Sequence, residues 1–300
     1  MPNINFLGNR KIMFAISGVL LAVSIGSLLV VGLTFGVEFL GGTAISVSNT
    51  GDVTSAQMTQ AFKDAGVDAP NVQTTEVRGV NGFIIRTPVT DPTESASQVT
   101  EVAKELSIPL GTFEVTTIGP GWGENITNRA LMALGISLAA ILLYISVRFE
   151  YKMSITSVVA VVHDILITLG IYALLGYEVT PNTIAALLTI LGYSLYDTIV
   201  VFHRIKDNAQ HLQKQSFMQM ANTSLNEVIV RSMNTTITSL IPVLAMLFFG
   251  GEALRDFALA LSIGLLVGAY SSIGVASPLY ALWKESEPRY AALRKKYADA

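Results

Sequence analysis

The chain contains no cysteine, which excludes disulfides, thiolate metal sites and a cysteine nucleophile, while fitting any redox compartment. Charge is scarce as well. Asp, Glu, Lys and Arg make up 14% of 300 residues, against about a quarter in an ordinary soluble protein. A chain of this length would otherwise suggest two soluble domains at roughly 150 residues each, but so few charges do not coat such a particle. There is no G-x-x-x-x-G-K-[ST] phosphate loop, no H-E-x-x-H zinc motif, and no Ser/His pair arranged for acyl transfer. An enzyme reading therefore has no supporting residues, and neither cofactor, metal, nucleotide nor nucleic acid is expected.

Apolar residues are abundant, at 51% with a mean hydropathy of +0.53. They come in runs of the roughly 20 residues that a spanning helix needs. Six such runs occur: 12–33, 129–147, 153–175, 181–202, 231–249 and 257–282. Arg10-Lys11 precedes the first run as in a signal peptide. That run is longer than an ordinary signal core, however, and residues 32–36 offer no small-x-small cleavage site, so it is expected to be a retained helix. Arg148, Lys152, Arg204, Lys206, Lys214 and Lys284 fall on one side, whereas the short loops at 176–180 and 250–256 hold only Arg255. By the positive-inside bias both termini are cytoplasmic and the segment after the first span is external. The expected organisation is residues 1–33 as N-terminus and first helix, 34–125 as an external domain, 126–283 as a five-helix bundle and 284–300 as a basic cytoplasmic tail.

The net charge of -3 conceals an asymmetry. Residues 34–125 hold 11 of the 22 acidic residues but only Lys63, Arg78, Arg86 and Lys104 of the 19 basic ones, a local net of -7 that leaves +4 elsewhere. An acidic insert sits in a basic apolar frame, which points to a membrane lipid surface rather than to nucleic acid. Within the insert, 43–48, 72–78, 82–87 and 112–118 read as strands, and 54–65 and 92–106 as helices. Thr54 is a candidate N-cap and Gly79–Gly82 a hairpin turn. This βαββαβ order predicts a ferredoxin-like α/β sandwich. Glycine-rich junctions bracket it, with Gly36, Gly41 and Gly42 on one side and Gly119, Pro120, Gly121 and Gly123 on the other. They read either as border turns or as hinges.

Ionisable groups at membrane depth are costly and are functional candidates by default. His163 and Asp164 lie near the middle of the third span, where a satisfied polar pair between helices is the other reading. Asp197 in the fourth span belongs to a polar stripe with Thr189 and Tyr193, with Ser194 and Thr198 beside it. Arg231, Asn234, Thr235 and Thr238 share a face of the fifth span, widened by Ser232. The topology brings Asp197 and Arg231 to one depth, within reach of an arginine side chain. A movement separating them would switch Asp197 between proton release and uptake; a static ion pair is the alternative. In the last span Ala260, Gly264, Gly268 and Ser272 form a small-residue ridge suited to close helix packing, inside the bundle or against a partner.

The segments GVEFLGG (36–42), GPGWG (119–123), GYSLYDTIVVFHRIKDN (192–208) and NTTITSL (234–240), in this order, resemble the SecF family. That family forms the smaller half of the SecDF accessory complex of bacterial protein export. The resemblance covers nearly the whole chain and implies membership of the RND superfamily. It also implies pairing with SecD in a twelve-helix bundle beside the SecYEG channel, and use of the proton gradient to pull unfolded preprotein outward across the inner membrane. By position Asp197 and Arg231 match polar residues implicated in the family's proton path. Glu38 stands where Asp is usual in the family, Tyr196 where Asn is common, and His203 where an acid precedes the basic residue. His203 thereby becomes a further candidate at the cytoplasmic exit. The family's main proton-carrying Asp lies in SecD, so this chain alone is not expected to couple anything. A purely structural subunit that stabilises SecD and the channel is the alternative, and half of a small-molecule exporter a distant third.

Overall fold

The computed structural model describes residues 4–297 apart from 49, 69, 78, 79, 120 and 213. Pro120 and the Gly79 turn position thus lie outside the described residues. Six of the described helices are long and apolar enough to cross a membrane: α1 (Arg10–Val30), α5 (Trp122–Arg148), α6 (Tyr151–Leu175), α7 (Pro181–Gln210), α8 (Phe217–Phe249) and the segment Leu254–Glu285. In that last segment α9 (Glu252–Ser271) passes through a π-turn (Ser272–Ala276) into α10 (Ser277–Glu285), and a short α11 (Pro288–Lys296) follows. Two-residue strands, β1 (Thr34–Phe35) and β6 (Glu178–Val179), lie in the connections.

The burial of α1 is inverted relative to a soluble helix. Its buried residues are Ser17, Ser24 and Ser27, while Ile12, Val19 and Val30 are exposed. Large apolar side chains outward and small polar ones inward is the arrangement that a hydrocarbon solvent selects. Small residues also let the backbones approach. A Cβ on Gly170 of α6 would strike Ser24 of α1, and one on Gly264 would strike Ile190 of α7. At Gly268 it would lie 2.9 Å from the Ser194 Cβ. The ridge of the last span is therefore spent inside the bundle, against α7.

Helices α7 and α8 both outrun their apolar runs, which end at 202 and begin at 231. Ser216 caps α8 through a reciprocal box with Gln219. Glu227 of α8 accepts from Arg204 and Asn208 of α7, at 2.5 and 2.9 Å. A polar hairpin continues the helices where hydropathy stops, because local capping and ion pairing satisfy it in water. At the same end, aromatic rings join the last helices to the bundle: Tyr280 lies 5.2 Å from Phe202 and 5.9 Å from Phe217, and Tyr290 of α11 lies 4.8 Å from Phe217. Lys152 and Lys284 both reach Glu287, at 2.9 and 3.1 Å, and Lys284 also reaches Glu150 at 2.6 Å. Burial would raise the Glu287 carboxyl, but the hydrogen bonds from Lys152 and Lys284 outweigh it and hold it below the ordinary carboxylate value.

The chain divides into two compact units: the helix bundle, and Phe35–Ala133. The second unit includes the first turns of α5, past the expected border at 125. It begins with a helical turn, α2 (Val37–Leu40). Then follow β2 (Gly42–Ser48), α3 (Ser55–Asp64), β3 (Asn71–Val77), β4 (Val80–Thr87), α4 (Pro92–Glu105) and β5 (Phe113–Ile118). The sheet order is β3-β4-β2-β5 with every neighbour antiparallel, so each helical crossover skips one strand. Alternation along the strands sends Ile45, Val47, Phe83 and Ile85 into a core with Met58, Phe62, Val99 and Val102 of the two helices. Thr54 caps α3 in a box with Gln57, and Asp91 caps α4. At the glycine junctions, Gly42 has φ +121° and a Cβ there would strike the Thr87 carbonyl. A Cβ on Gly123 would lie 2.5 Å from the Phe39 carbonyl oxygen. Close backbone contact thus accounts for glycine at these two positions.

Candidate functional site

Three carboxylates of the helix bundle are buried among the described residues: Asp164 at 1%, Asp197 at 2% and Glu285, which ends the last span, at 7% exposure. Asp197 Oδ2 accepts from the Ser232 hydroxyl at 2.7 Å. Arg231 does not take that position. Its guanidinium is exposed and donates to the Tyr196 hydroxyl at 2.9 Å, and no ion pair joins Asp197 to Arg231 among the described residues. Asp197 and Arg231 thus lie at one level without an ion pair, and the reason is register. Successive residues on a helix point about 100° apart, so antiparallel α7 and α8 match Asp197 with Ser232 on the inner side and Tyr196 with Arg231 on the outer side. Tyr196 is the residue that holds the arginine.

The supporting residues divide. Ser194 and Thr198 are buried but turn from Asp197 toward α6 and the π-turn: Ser194 donates to Asp164 at 2.6 Å, and Thr198 meets Ser272 at 2.9 Å. The Tyr193 hydroxyl is buried with no hydrogen-bond partner. Thr235 and Thr238 donate to carbonyls of their own helix, those of Arg231 and Asn234. None of these bonds to Asp197. His203 is exposed, its Nδ1 3.0 Å from Asp207 one turn on.

The fuller network surrounds Asp164, which ranks second to Asp197 on sequence grounds. Oδ1 meets His163 Nδ1 at 2.9 Å, and Oδ2 accepts from Ser194 at 2.6 Å and Ser271 at 2.8 Å. Three helices thus converge on one carboxyl at membrane depth. Ser271 and Ser232 do not stand out in the sequence as site residues, since serine is common and their partners are distant along the chain. The signal that finds them is positional: Ser232 widens the polar face of the fifth span, and Ser271 neighbours Ser272 of the small-residue ridge.

One stripe of the outer side is polar, beside the exposed apolar side chains Val230, Met233, Ile237 and Ile241 of α8. Thr189 and Tyr196 of α7 and Arg231, Asn234 and Thr238 of α8 are exposed, all within helices apolar enough to span. A stripe in contact with lipid does not carry an asparagine and two threonines inside a span, with an arginine at its edge, without cover.

A family model described as "Protein export membrane protein SecD/SecF, C-terminal" matches residues 98–286, more than half of the chain. The chain belongs to the SecD/SecF family. Among its relatives, the protein translocase subunit SecF of Streptomyces coelicolor is 40% identical across 97% of this chain and 80% of its own length. SecF of Thermodesulfovibrio yellowstonii is 38% identical across 93% of this chain and 94% of its own. The crystal structure of SecDF from Thermus thermophilus, described as a translocon-associated membrane protein, superposes with a TM-score of 0.86 at 36% identity. That match covers 95% of this chain but 39% of the SecDF chain, so this chain corresponds to the SecF portion of a longer, fused relative.

Proposed function

We propose that this chain is the SecF half of a proton-driven export complex. It pairs with a SecD-type partner beside the SecYEG channel and promotes passage of unfolded preprotein. It performs no catalysis and needs no cofactor. The observation that carries the reading is the exposed polar face of α7 and α8, which a second bundle of matching polarity must cover in a membrane. The fused relative supports it, since SecD and SecF there form one chain. We place both termini in the cytoplasm of a bacterial inner membrane and residues 34–125 outside; the β3-β4-β2-β5 order of the α/β unit supports the ferredoxin-like reading.

The geometry suggests how the proton acts. Deprotonated, Asp197 carries a charge in a place with one hydroxyl donor, and Arg231 on the neighbouring register position is the nearest cation of α8 able to swing from Tyr196 toward it. Protonated, Asp197 needs no counter-charge and Arg231 stays with Tyr196. Each proton thus selects one of two arrangements of the α7/α8 pair. The membrane potential biases that choice by about 2.3 kcal/mol per charge per 100 mV.

The pairing is open to direct test because the chain has no cysteine. Asn234→Cys and Thr238→Cys, each paired with a scan of single cysteines on the SecD helices, are expected to cross-link to the partner in membranes. Ile12→Cys and Val19→Cys, on the apolar surface of α1, are expected not to. Cross-links absent from the polar face would remove the support for a SecD-covered half.

A further inference from the structure

The proposed cycle uses Asp197 and leaves the larger buried network unemployed. Asp164 and His163 sit at the midpoint of α6 (Tyr151–Leu175), and the imidazole is 4% exposed. Its Nδ1 is spent on Asp164, but its Nε2 is buried with no hydrogen-bond partner. A purely structural histidine has both nitrogens satisfied, because an unpaired buried polar atom costs on the order of 1–3 kcal/mol. A free nitrogen beside a satisfied carboxyl is open to a proton.

The surroundings fit that use. Ser24 of α1 packs on Gly170, and seven residues earlier on both helices Ser17 comes level with His163. There Tyr270 of α9 bridges them: its hydroxyl meets Ser17 at 3.1 Å, and its ring lies 6.4 Å from the imidazole. Tyr270 is the titratable side chain facing the pair from α9. Helix α7 presents the Ser194 hydroxyl to Asp164, Ser17 of α1 meets the pair's neighbour Tyr270, and no Lys, Arg, Asp or Glu of α1, α7 or α9 bonds to the pair among the described residues. On the far side of Asp164, Ser271 directly precedes the π-turn at Ser272–Ala276. Such turns are local departures from the α-helical ladder that recur at functional sites.

We infer that Asp164 and His163 form a second site of proton uptake and release, separate from Asp197 and opening toward the α1 serines. In the empty form the imidazole is neutral, with Nδ1–H donating to the Asp164 carboxylate, and the pair carries a net charge of -1. A proton arriving from water along α1 bonds to the Nε2 lone pair, and Nδ1–H stays in place. The pair becomes imidazolium and carboxylate with no net charge, and release reverses the step. This change of charge lies one residue from the π-turn of the last span, through Ser271. Its use in export rests on the proton-coupled reading above; the uptake itself does not.

The chain has three histidines, so His203→Gln with His211→Gln leaves His163 as the single imidazole. Nitrogen NMR of this histidine-labelled full chain in lipid nanodiscs reads both ring nitrogens. Between about pH 9 and about pH 5, the range in which imidazoles change charge, the Nε2 resonance is expected to move from the acceptor type to the N–H type while Nδ1 keeps its proton. Asp164→Asn is expected to abolish the transition within that range. An Nε2 resonance that stays constant would overturn the inference, as would a transition that persists unaltered in Asp164→Asn. Neither result bears on whether Asp197 drives export.

Discussion

At the residue scale the site turns on two neighbouring pairs, Tyr196–Asp197 and Arg231–Ser232. Polarity and depth made Asp197 and Arg231 legible in the sequence. Which of them touches which was not, because one helical step decides it. Ser232, visible there only as part of a broad polar face, is the residue that bonds the acid. Ser232→Ala removes that donor from a buried carboxyl, a loss of about 1.5–3 kcal/mol for a hydrogen bond to a charged group. Gradient-dependent export by the assembled complex is expected to fall about tenfold or more. Tyr196→Phe leaves the Asp197 bond in place and releases only an exposed arginine, so its effect in the same vesicle assay is expected to be the smaller of the two. The reverse order would place the working contact at Tyr196.

At the element scale the spans were visible because an apolar run of membrane length fits a bilayer and little else. The α/β order was visible through strand alternation and capping residues such as Thr54. Less was legible where polar chemistry extends an element: α7 continues to Gln210 and α8 starts at Phe217, on ion pairs and caps that hydropathy does not weigh. The π-turn left no sequence mark. The ridge at Gly264 and Gly268 was apparent, but its partner helix came only with the fold. Gly268→Leu forces a side chain into Ser194 and is expected to destabilise the α7–α9 contact by on the order of 1–3 kcal/mol. A lowered unfolding midpoint of the purified chain checks it. Thr54→Ala removes the cap of α3 and is expected to cost about 1 kcal/mol, felt in the α/β unit. Hydrogen exchange of α3 amides in the full chain reads that loss.

At the scale of the whole molecule, an ionic cluster and an exposed polar stripe set the conditions for the proposed function. The Glu287 carboxyl is held below its ordinary value in the folded chain. Its stabilisation is therefore complete at neutral pH, above the unfolded value, and fades as pH falls through the carboxylate range toward about 4 and below. Thermal unfolding of wild type and Glu287→Gln is expected to differ at neutral pH and to converge on acidification; a gap that widens in acid would contradict the sign. The sequence carried the family pattern across nearly the full length, and the relatives bear it out. It did not carry the outward polar face as a surface, since exposure belongs to the packed bundle.

Whether a proton at Asp197 drives export is tested most directly by preprotein translocation into vesicles containing this chain, its SecD partner and the SecYEG channel. The comparison is wild type against Asp197→Asn, with and without an imposed proton gradient. A proton relay at Asp197 predicts stimulation by the gradient in wild type, and its loss in Asp197→Asn with the complex still assembled. Equal stimulation in both would contradict it and leave this chain a scaffold for a partner that carries the driving chemistry alone.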